Sequence, residues 1–171
     1  MILKGKVWVF SDNVDTDVIT PGKYLDDPRE LLKHVLEPLD KAFPGGVKPG
    51  DIMVAGKNFG CGSSRESAPE VLQQMKVGAI VAESFGRIFY RNSIAIGLPI
   101  LEAPDVRSAF EKGNEAEVDI DNAQVKNVTS GKALTGKKLP PMLLEILNGG
   151  GQLNILRKEL KEKAKAMREG K

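Results

Sequence analysis

Apolar and polar positions along the chain predict short strands that alternate with helices. Residues 2–10 alternate in character and are rich in Val, Ile and aromatic side chains, which predicts a first strand. Three later runs are apolar throughout, as buried strands are, and they cover residues 52–55, 79–82 and 98–101. Helical patterns fill the gaps between these runs, at 65–75 and 85–94. This alternation predicts an α/β domain whose core sheet is mostly parallel, with right-handed crossovers.

A further helix is predicted from Asp27 to about residue 39. Asp27 suits the capping position, Pro28 suits the first helical position, and Glu30, three residues after Asp27, completes the pattern of a helix start. The single histidine, His34, falls inside this plain amphipathic helix. Its apolar stripe consists of the residues at positions 31, 32, 35, 36 and 39.

Beyond Pro104 the residue pattern becomes typical of β-strands. Strands are predicted at 116–120 and 124–128, with turns at 121–122 and 130–131, and this pattern predicts a β-hairpin. Pro140-Pro141 then opens a helix that the glycines at 149–151 stop. Residues 155–168 interleave Lys, Arg and Glu, which is typical of a solvated helix. We expect one domain over residues 1–150 and a charged C-terminal helix or tail over 151–171.

Composition excludes several classes of chemistry. The chain has 171 residues, one cysteine and one histidine, so it cannot form an internal disulfide, a CxxC zinc site or a cysteine-ligated cluster unaided. The net charge of +2 gives no reason to expect nucleic acid as a partner. The first apolar run, residues 7–10, is far shorter than the about 20 residues of a spanning helix. We therefore expect a cytoplasmic protein with no membrane partner and no metal site of its own.

The strongest candidate for chemistry is the segment 58–66, Asn-Phe-Gly-Cys-Gly-Ser-Ser-Arg-Glu, between a strand and a helix. Its glycines let backbone amides converge on an anion, and the guanidinium group of Arg65 can pair with a carboxylate or phosphate. The alternative is purely structural: Ser63 caps the helix and Glu66 completes a capping box. No complete dinucleotide loop or P-loop occurs.

Two other clusters are less specific. Residues 84–92 follow a buried strand, and Arg87 and Arg91 share one helical face. We expect these arginines in water, with Ile88 and Phe89 in the core. The acids of residues 15–17 and 24–27 lack EF-hand spacing, so turn and cap roles account for them better than a divalent cation does.

These three clusters together resemble the small subunits of the isopropylmalate isomerase and homoaconitase class of hydro-lyases. The matching stretches are Val14-Asp15-Thr16-Asp17, residues 60–66 and residues 84–92, in family order, within a resemblance that covers about residues 5–150. The resemblance implies an aconitase-type swivelling β/β/α fold. It also implies that this chain binds no cofactor and works with a large subunit that carries a 4Fe-4S cluster, as a heterodimer or heterotetramer.

The resemblance also assigns roles within the matched motifs. Ser63 would be the catalytic base that removes a carbon-bound proton of a small di- or tricarboxylate. The substrate-binding residues would be Ser64, Arg65, Asp17 and Thr20. The loop formed by Tyr24, Leu25, Asp26 and Asp27 would set specificity. Because Asp26 and Asp27 are negative, a diacid such as 3-isopropylmalate fits better than a triacid, while homocitrate and dimethylmalate stay open.

Two other functions are compatible with the same residues. The 60–65 loop could hold phosphate or a flavin nucleotide in a stand-alone binding module, or the chain could be a structural interaction domain. Cys61 has no role in the chemistry of the family, so we interpret it as a small filler that is open to oxidation.

Overall fold

A computed structural model describes residues 1–169 of the chain. Its strands and helices follow in the order β1 (Ile2–Val9), α1 (Thr16–Ile19), α2 (Pro28–Leu32), α3 (Phe43–Gly46), β2 (Ile52–Ala55), α4 (Ser67–Gln74), β3 (Ala79–Ala82), α5 (Arg87–Ile96), β4 (Ile100–Glu102), β5 (Glu115–Asp119), β6 (Gln124–Asn127), β7 (Ala133–Thr135), α6 (Pro141–Asn148) and α7 (Gln152–Glu169). Short 3-10 helices cover Gly22–Tyr24 and Val106–Ala109. Within the described residues, no helix combines the length and the apolar character needed to cross a membrane.

The strands form one sheet in the order β4-β3-β2-β1-β5-β6-β7. The first four of these strands in space are parallel, and β2 and β3 are buried at every residue. Helix α4 connects β2 to β3, and α5 connects β3 to β4. The predicted α/β class, with a parallel core sheet, is therefore confirmed.

Strand β1 is shared between two halves of the sheet. Its residues Val7–Val9 pair with β2 in parallel, whereas Ile2–Lys6 pair with β5 in antiparallel register. β5, β6 and β7 continue as an antiparallel meander. The predicted hairpin region is confirmed. Strand β7 was not predicted, because its three residues are mostly exposed and show no alternation of apolar and polar side chains.

The helix predicted over 27–39 is correct at its start and wrong at its end. The Asp27 side chain accepts hydrogen bonds from the backbone of Arg29 and Glu30, as the capping prediction requires. The helix stops at Leu32, and Leu36 adopts φ +57°, which no helix accommodates. His34 accordingly lies in a turn, where its ring stacks on Tyr24 with centroids 3.9 Å apart.

The helix predicted over 65–75 begins later, at Ser67. Glu66 occupies the cap position in a helical conformation and makes no side-chain capping bond. The capping-box interpretation of Ser63 and Glu66 is therefore wrong, and the Ser63 side chain does not cap α4. At the other end of the chain, α7 is continuous and exposed from Leu156 to Lys165.

Candidate active site

Three loops meet at the carboxyl ends of β1, β2 and β3. The Gly60 amide donates to Val14 O (2.8 Å), the Thr16 amide donates to Cys61 O (2.8 Å), and the Gly86 amide donates to Phe59 O (2.8 Å). Backbone bonds thus join segments that are far apart in the chain. The carboxyl edge of a parallel sheet is where open α/β folds bind their ligands.

Close packing fixes the loop of residues 60–66, which we call the serine loop. Gly60 and Gly62 have φ of +73° and +96°, values that favour glycine. A Cβ on Gly60 would lie 2.2 Å from Phe89 Cγ, and one on Gly86 would lie 2.4 Å from Gly60 O. The serine loop and the start of α5 therefore pack as one unit, without room for a methyl group between them.

Ser63 is held by two residues of the first loop. The Thr16 hydroxyl donates to Ser63 O (3.1 Å) and lies 3.2 Å from Ser63 Oγ. The Ser63 hydroxyl donates to Asp17 Oδ1 at 3.3 Å. Thr16 is buried, so this hydroxyl is a fixed support for the exposed serine. Sequence reasoning did not assign Thr16 a role, although it stands between the two acids of the matched motif.

Arg65 is placed by the same segment. Its Nη1 donates to Thr20 O (3.0 Å), and its Nη2 lies 3.0 Å from Asp17 Oδ1. A guanidinium has five N–H donors, so Arg65 keeps donors for a further anion. Of the residues predicted to bind substrate, the structure brings Asp17, Thr20 and Arg65 together beside Ser63.

Ser64 and the predicted specificity loop are less constrained. Ser64 is exposed on the serine loop. Residues 24–27 follow Gly22, whose Cβ would stand 3.9 Å from both terminal nitrogens of Arg65. Asp27 is occupied as the cap of α2, whereas Leu25 and Asp26 are exposed. Gly22, two residues before this loop, thus lies beside Arg65.

A cleft of about 450 Å³ opens beside the serine loop. Cys61 and Ser63 line one side, and Arg87, Ile88 and Arg91 line the other. Phe89 is buried as expected, but Ile88 is 48% exposed, so the prediction that it lies in the core is wrong. The two arginines are exposed, as predicted, yet they share the cleft with Ser63.

Cys61 lines this cleft with a partly buried thiol. Partial burial, and to a smaller extent the neighbouring Asp15 carboxylate, raise the pKa of Cys61 above its ordinary value of 9.0. A raised pKa leaves less of the reactive thiolate at neutral pH than an ordinary cysteine has. Across residues 1–169, no group of three or more His, Cys, Asp and Glu side chains is arranged to hold a metal ion.

Comparison with known proteins gives consistent matches over nearly the whole chain. Residues 10–105 match the aconitase C-terminal domain family. The 3-isopropylmalate dehydratase small subunit of Caldicellulosiruptor bescii is 51% identical over 96% of this chain and 100% of that protein. The isopropylmalate/citramalate isomerase small subunit of Methanocaldococcus jannaschii is 48% identical over 94% of this chain and 97% of its own length.

A solved structure gives the same result. The crystal structure of 3-isopropylmalate dehydratase from Methanocaldococcus jannaschii superposes with a TM-score of 0.89 at 41% identity. The match covers 96% of this chain and 99% of that one. The fold described above is therefore the fold of that protein.

Proposed function

Because this chain belongs to the aconitase C-terminal domain family, among its 3-isopropylmalate dehydratase small subunits, we propose that it is one half of a hydro-lyase of leucine biosynthesis. The reaction interconverts 2-isopropylmalate and 3-isopropylmalate. Water leaves the hydroxy-diacid and is added back with the hydroxyl on the neighbouring carbon. The coverage of the relatives over nearly their full length supports assigning their activity to the whole chain.

One geometric observation supports this proposal most directly. The Ser63 hydroxyl and the Arg65 guanidinium both converge on a single oxygen, Asp17 Oδ1, at 3.3 and 3.0 Å. An oxygen of a substrate carboxylate requires donors of the same kind at the same distances. A hydroxy-diacid held at Arg65 would therefore bring its carbon-bound proton close to Ser63.

Ser63 would act as the base in this site. A serine hydroxyl is a weak base unless nearby positive charge favours its alkoxide. Arg65 lies beside Ser63 and supplies that charge, while the Asp17 carboxylate, which accepts from the Ser63 hydroxyl, would take up the proton that this hydroxyl loses. Ser64 would add a second hydroxyl donor to the carboxylate, and Thr20, whose carbonyl accepts from Arg65, would hold the guanidinium in position.

The chain's own donors do not fit an iron-sulfur cluster. The sequence contains one cysteine, whereas a 4Fe-4S cluster is held by several thiolates. We therefore place the cluster on a large subunit that covers the serine loop. The names of the relatives, which call them small subunits, support such a partner. The stoichiometry would be that of a heterodimer or heterotetramer.

The charge of the specificity loop supports a diacid substrate. Asp26 and Asp27 give the specificity loop two negative charges, and we expect this loop to repel a third carboxylate on the substrate. Arg29, also exposed, offsets part of this charge. We propose 3-isopropylmalate as the substrate, with citramalate as the comparator that the name of the Methanocaldococcus jannaschii relative suggests.

The test combines this chain with its cluster-loaded large subunit under anaerobic conditions and follows the ultraviolet absorbance of the unsaturated diacid. We expect turnover only with both subunits, and a fall in kcat of about a thousandfold for Ser63→Ala. Ser130→Ala, at an exposed serine in the turn before β7, is the matched control and should keep full activity. Full activity of Ser63→Ala would remove the proposed base.

A further inference from the structure

A second cavity adjoins the cleft beside the serine loop and is strongly basic. It encloses about 310 Å³ and shares Arg87 and Arg91 with that cleft. Lys137 and Lys138 line its other side, and Glu102 is its single acidic residue. We call the four cations the basic face. With Glu102 included, this small area carries a charge of +3, more than the +2 of the entire chain.

The charges of the basic face are mostly uncompensated. Within residues 1–169, Arg87, Arg91 and Lys138 form no ion pair, and Lys137 lies 3.4 Å from Glu102. Arg65, by contrast, is engaged by Asp17 and by a backbone carbonyl. Exposed guanidinium groups without a partner are suited to pair with carboxylates of another molecule.

Apolar groups accompany these cations. Ile88 stands between the two arginines on α5 and is 48% exposed, and Tyr90 and Leu143 line the second cavity. Arginine, tyrosine and exposed apolar side chains around a shallow cavity are the composition of protein interfaces rather than of sites for free ions. A small dianion would leave this apolar surface uncovered.

We propose that the basic face, with Ile88, is the surface on which an acidic region of the large subunit docks. This inference rests on the proposed function, because a partner that completes the site must cover the cleft shared by Ser63, Arg87 and Arg91. Charge complementarity selects carboxylates on that partner. Since α5 packs on Gly60 without free space, a partner docked at Arg87 and Arg91 would lie directly beside the serine loop.

The experiment measures the dissociation constant (Kd) between the full chain and its cluster-loaded large subunit by analytical ultracentrifugation at several salt concentrations. For the double variant Arg87→Gln/Arg91→Gln we expect a Kd at least tenfold higher and a weaker dependence on salt. The matched control is Arg157→Gln. Arg157 is exposed, lines a cavity with Ile96 at the far end of α5, and forms no ion pair within residues 1–169. Its Kd should equal that of the wild type.

Activity at saturating large subunit separates docking from a direct action on substrate. We expect the double variant to recover kcat and KM within about twofold, since its defect lies in assembly. An unchanged Kd, or a KM for isopropylmalate that stays raised at saturation, would overturn the inference while the proposed function stands. Failure of the wild-type chain to bind the large subunit would overturn both. Thermal unfolding of each variant confirms that it is folded.

Discussion

The Asp17 carboxylate lies 3.0 Å from the Arg65 guanidinium, in the place that our proposal gives to a substrate carboxylate. Both side chains are partly exposed, at 61% and 28%, so water screens the pair and its contribution to stability is small. The pair therefore matters for the site more than for the fold. In the proposed mechanism a substrate displaces Asp17 from this face of Arg65, whereas the family resemblance implies that Asp17 binds the substrate itself.

Replacement of Asp17 by Asn should separate binding from chemistry. The amide keeps an acceptor but no longer neutralises Arg65, so we expect KM for isopropylmalate to fall a few-fold. Ser63 loses its charged acceptor, and kcat should fall about tenfold. Steady-state kinetics of the assembled enzyme measure both constants. A raised KM would mean that Asp17 binds the substrate directly.

The Thr16 hydroxyl should be required for the position of Ser63. Thr16→Val preserves the shape of the buried side chain and removes both contacts to Ser63, at 3.1 and 3.2 Å. We expect kcat to fall about tenfold with little change in KM, and the free energy of unfolding to fall by about 1 kcal/mol. Thr16→Ser keeps the hydroxyl and should retain activity. Equal activity of the Val and Ser variants would contradict the supporting role.

Gly60 should tolerate no side chain because of its packing on α5. Gly60→Ala adds a Cβ 2.2 Å from Phe89 Cγ at a positive φ, so the serine loop must move. Gly113→Ala is the matched control, since its φ of +90° is equally strained but nothing lies within 4 Å. The backbone strain alone costs about 1–3 kcal/mol. We expect Gly60→Ala to be the more destabilised in chemical denaturation and to lose activity, and equal losses would disprove the packing argument.

Alkylation of the single cysteine reports on its raised pKa. The thiolate is the reactive form, and a pKa above 9.0 leaves less thiolate at any lower pH. The rate of reaction with iodoacetamide should therefore reach half its maximum at a higher pH than it does for an unstructured thiol peptide. Asp15→Asn removes one of the two causes and should shift the midpoint downwards. A midpoint below that of an unstructured thiol peptide would contradict this description of the cleft.

The charged C-terminal helix should be dispensable for the fold. Residues 157–165 are exposed, and surface changes away from packed features cost within about 0.5 kcal/mol. A chain that ends at Leu156 should therefore unfold within about 2 °C of the full chain in a calorimetric scan. A fall in Tm of more than about 5 °C would show that α7 stabilises the rest of the chain.

Sequence patterns predicted the parallel half of the fold because its signals are local. The runs at 52–55 and 79–82 became β2 and β3, the strand predicted at 98–101 formed two residues later as β4, and Pro28 and Pro141 marked the starts of helices. The end of α2 was missed because Val35 and Leu36 are buried in a turn, with the same spacing that a helix would give. Burial by a tertiary turn cannot be told from burial by a helix on periodicity alone.

The candidate site was predicted only in part for a related reason. Ser63 and Arg65 stand out in one loop, but their contacts to Thr16, Asp17 and Thr20 join positions more than 40 residues apart. Only the pairing of β1 with β2 brings these residues together. The cleft position of Arg87 and Arg91 depends in the same way on the packing of Gly86 against Gly60, which no pattern in the sequence reveals.

The division of β1 between two partners affects the chain while it is being made. Ile2–Lys6 pair with β5, which follows β2 by roughly 60 residues, and a ribosome needs about 3 to 12 seconds for that length. During this interval the first half of β1 is an open edge able to pair with other nascent chains. Lys4 and Lys6 stand on that edge, and charged lysines there oppose aggregation until the C-terminal strands emerge from the exit tunnel.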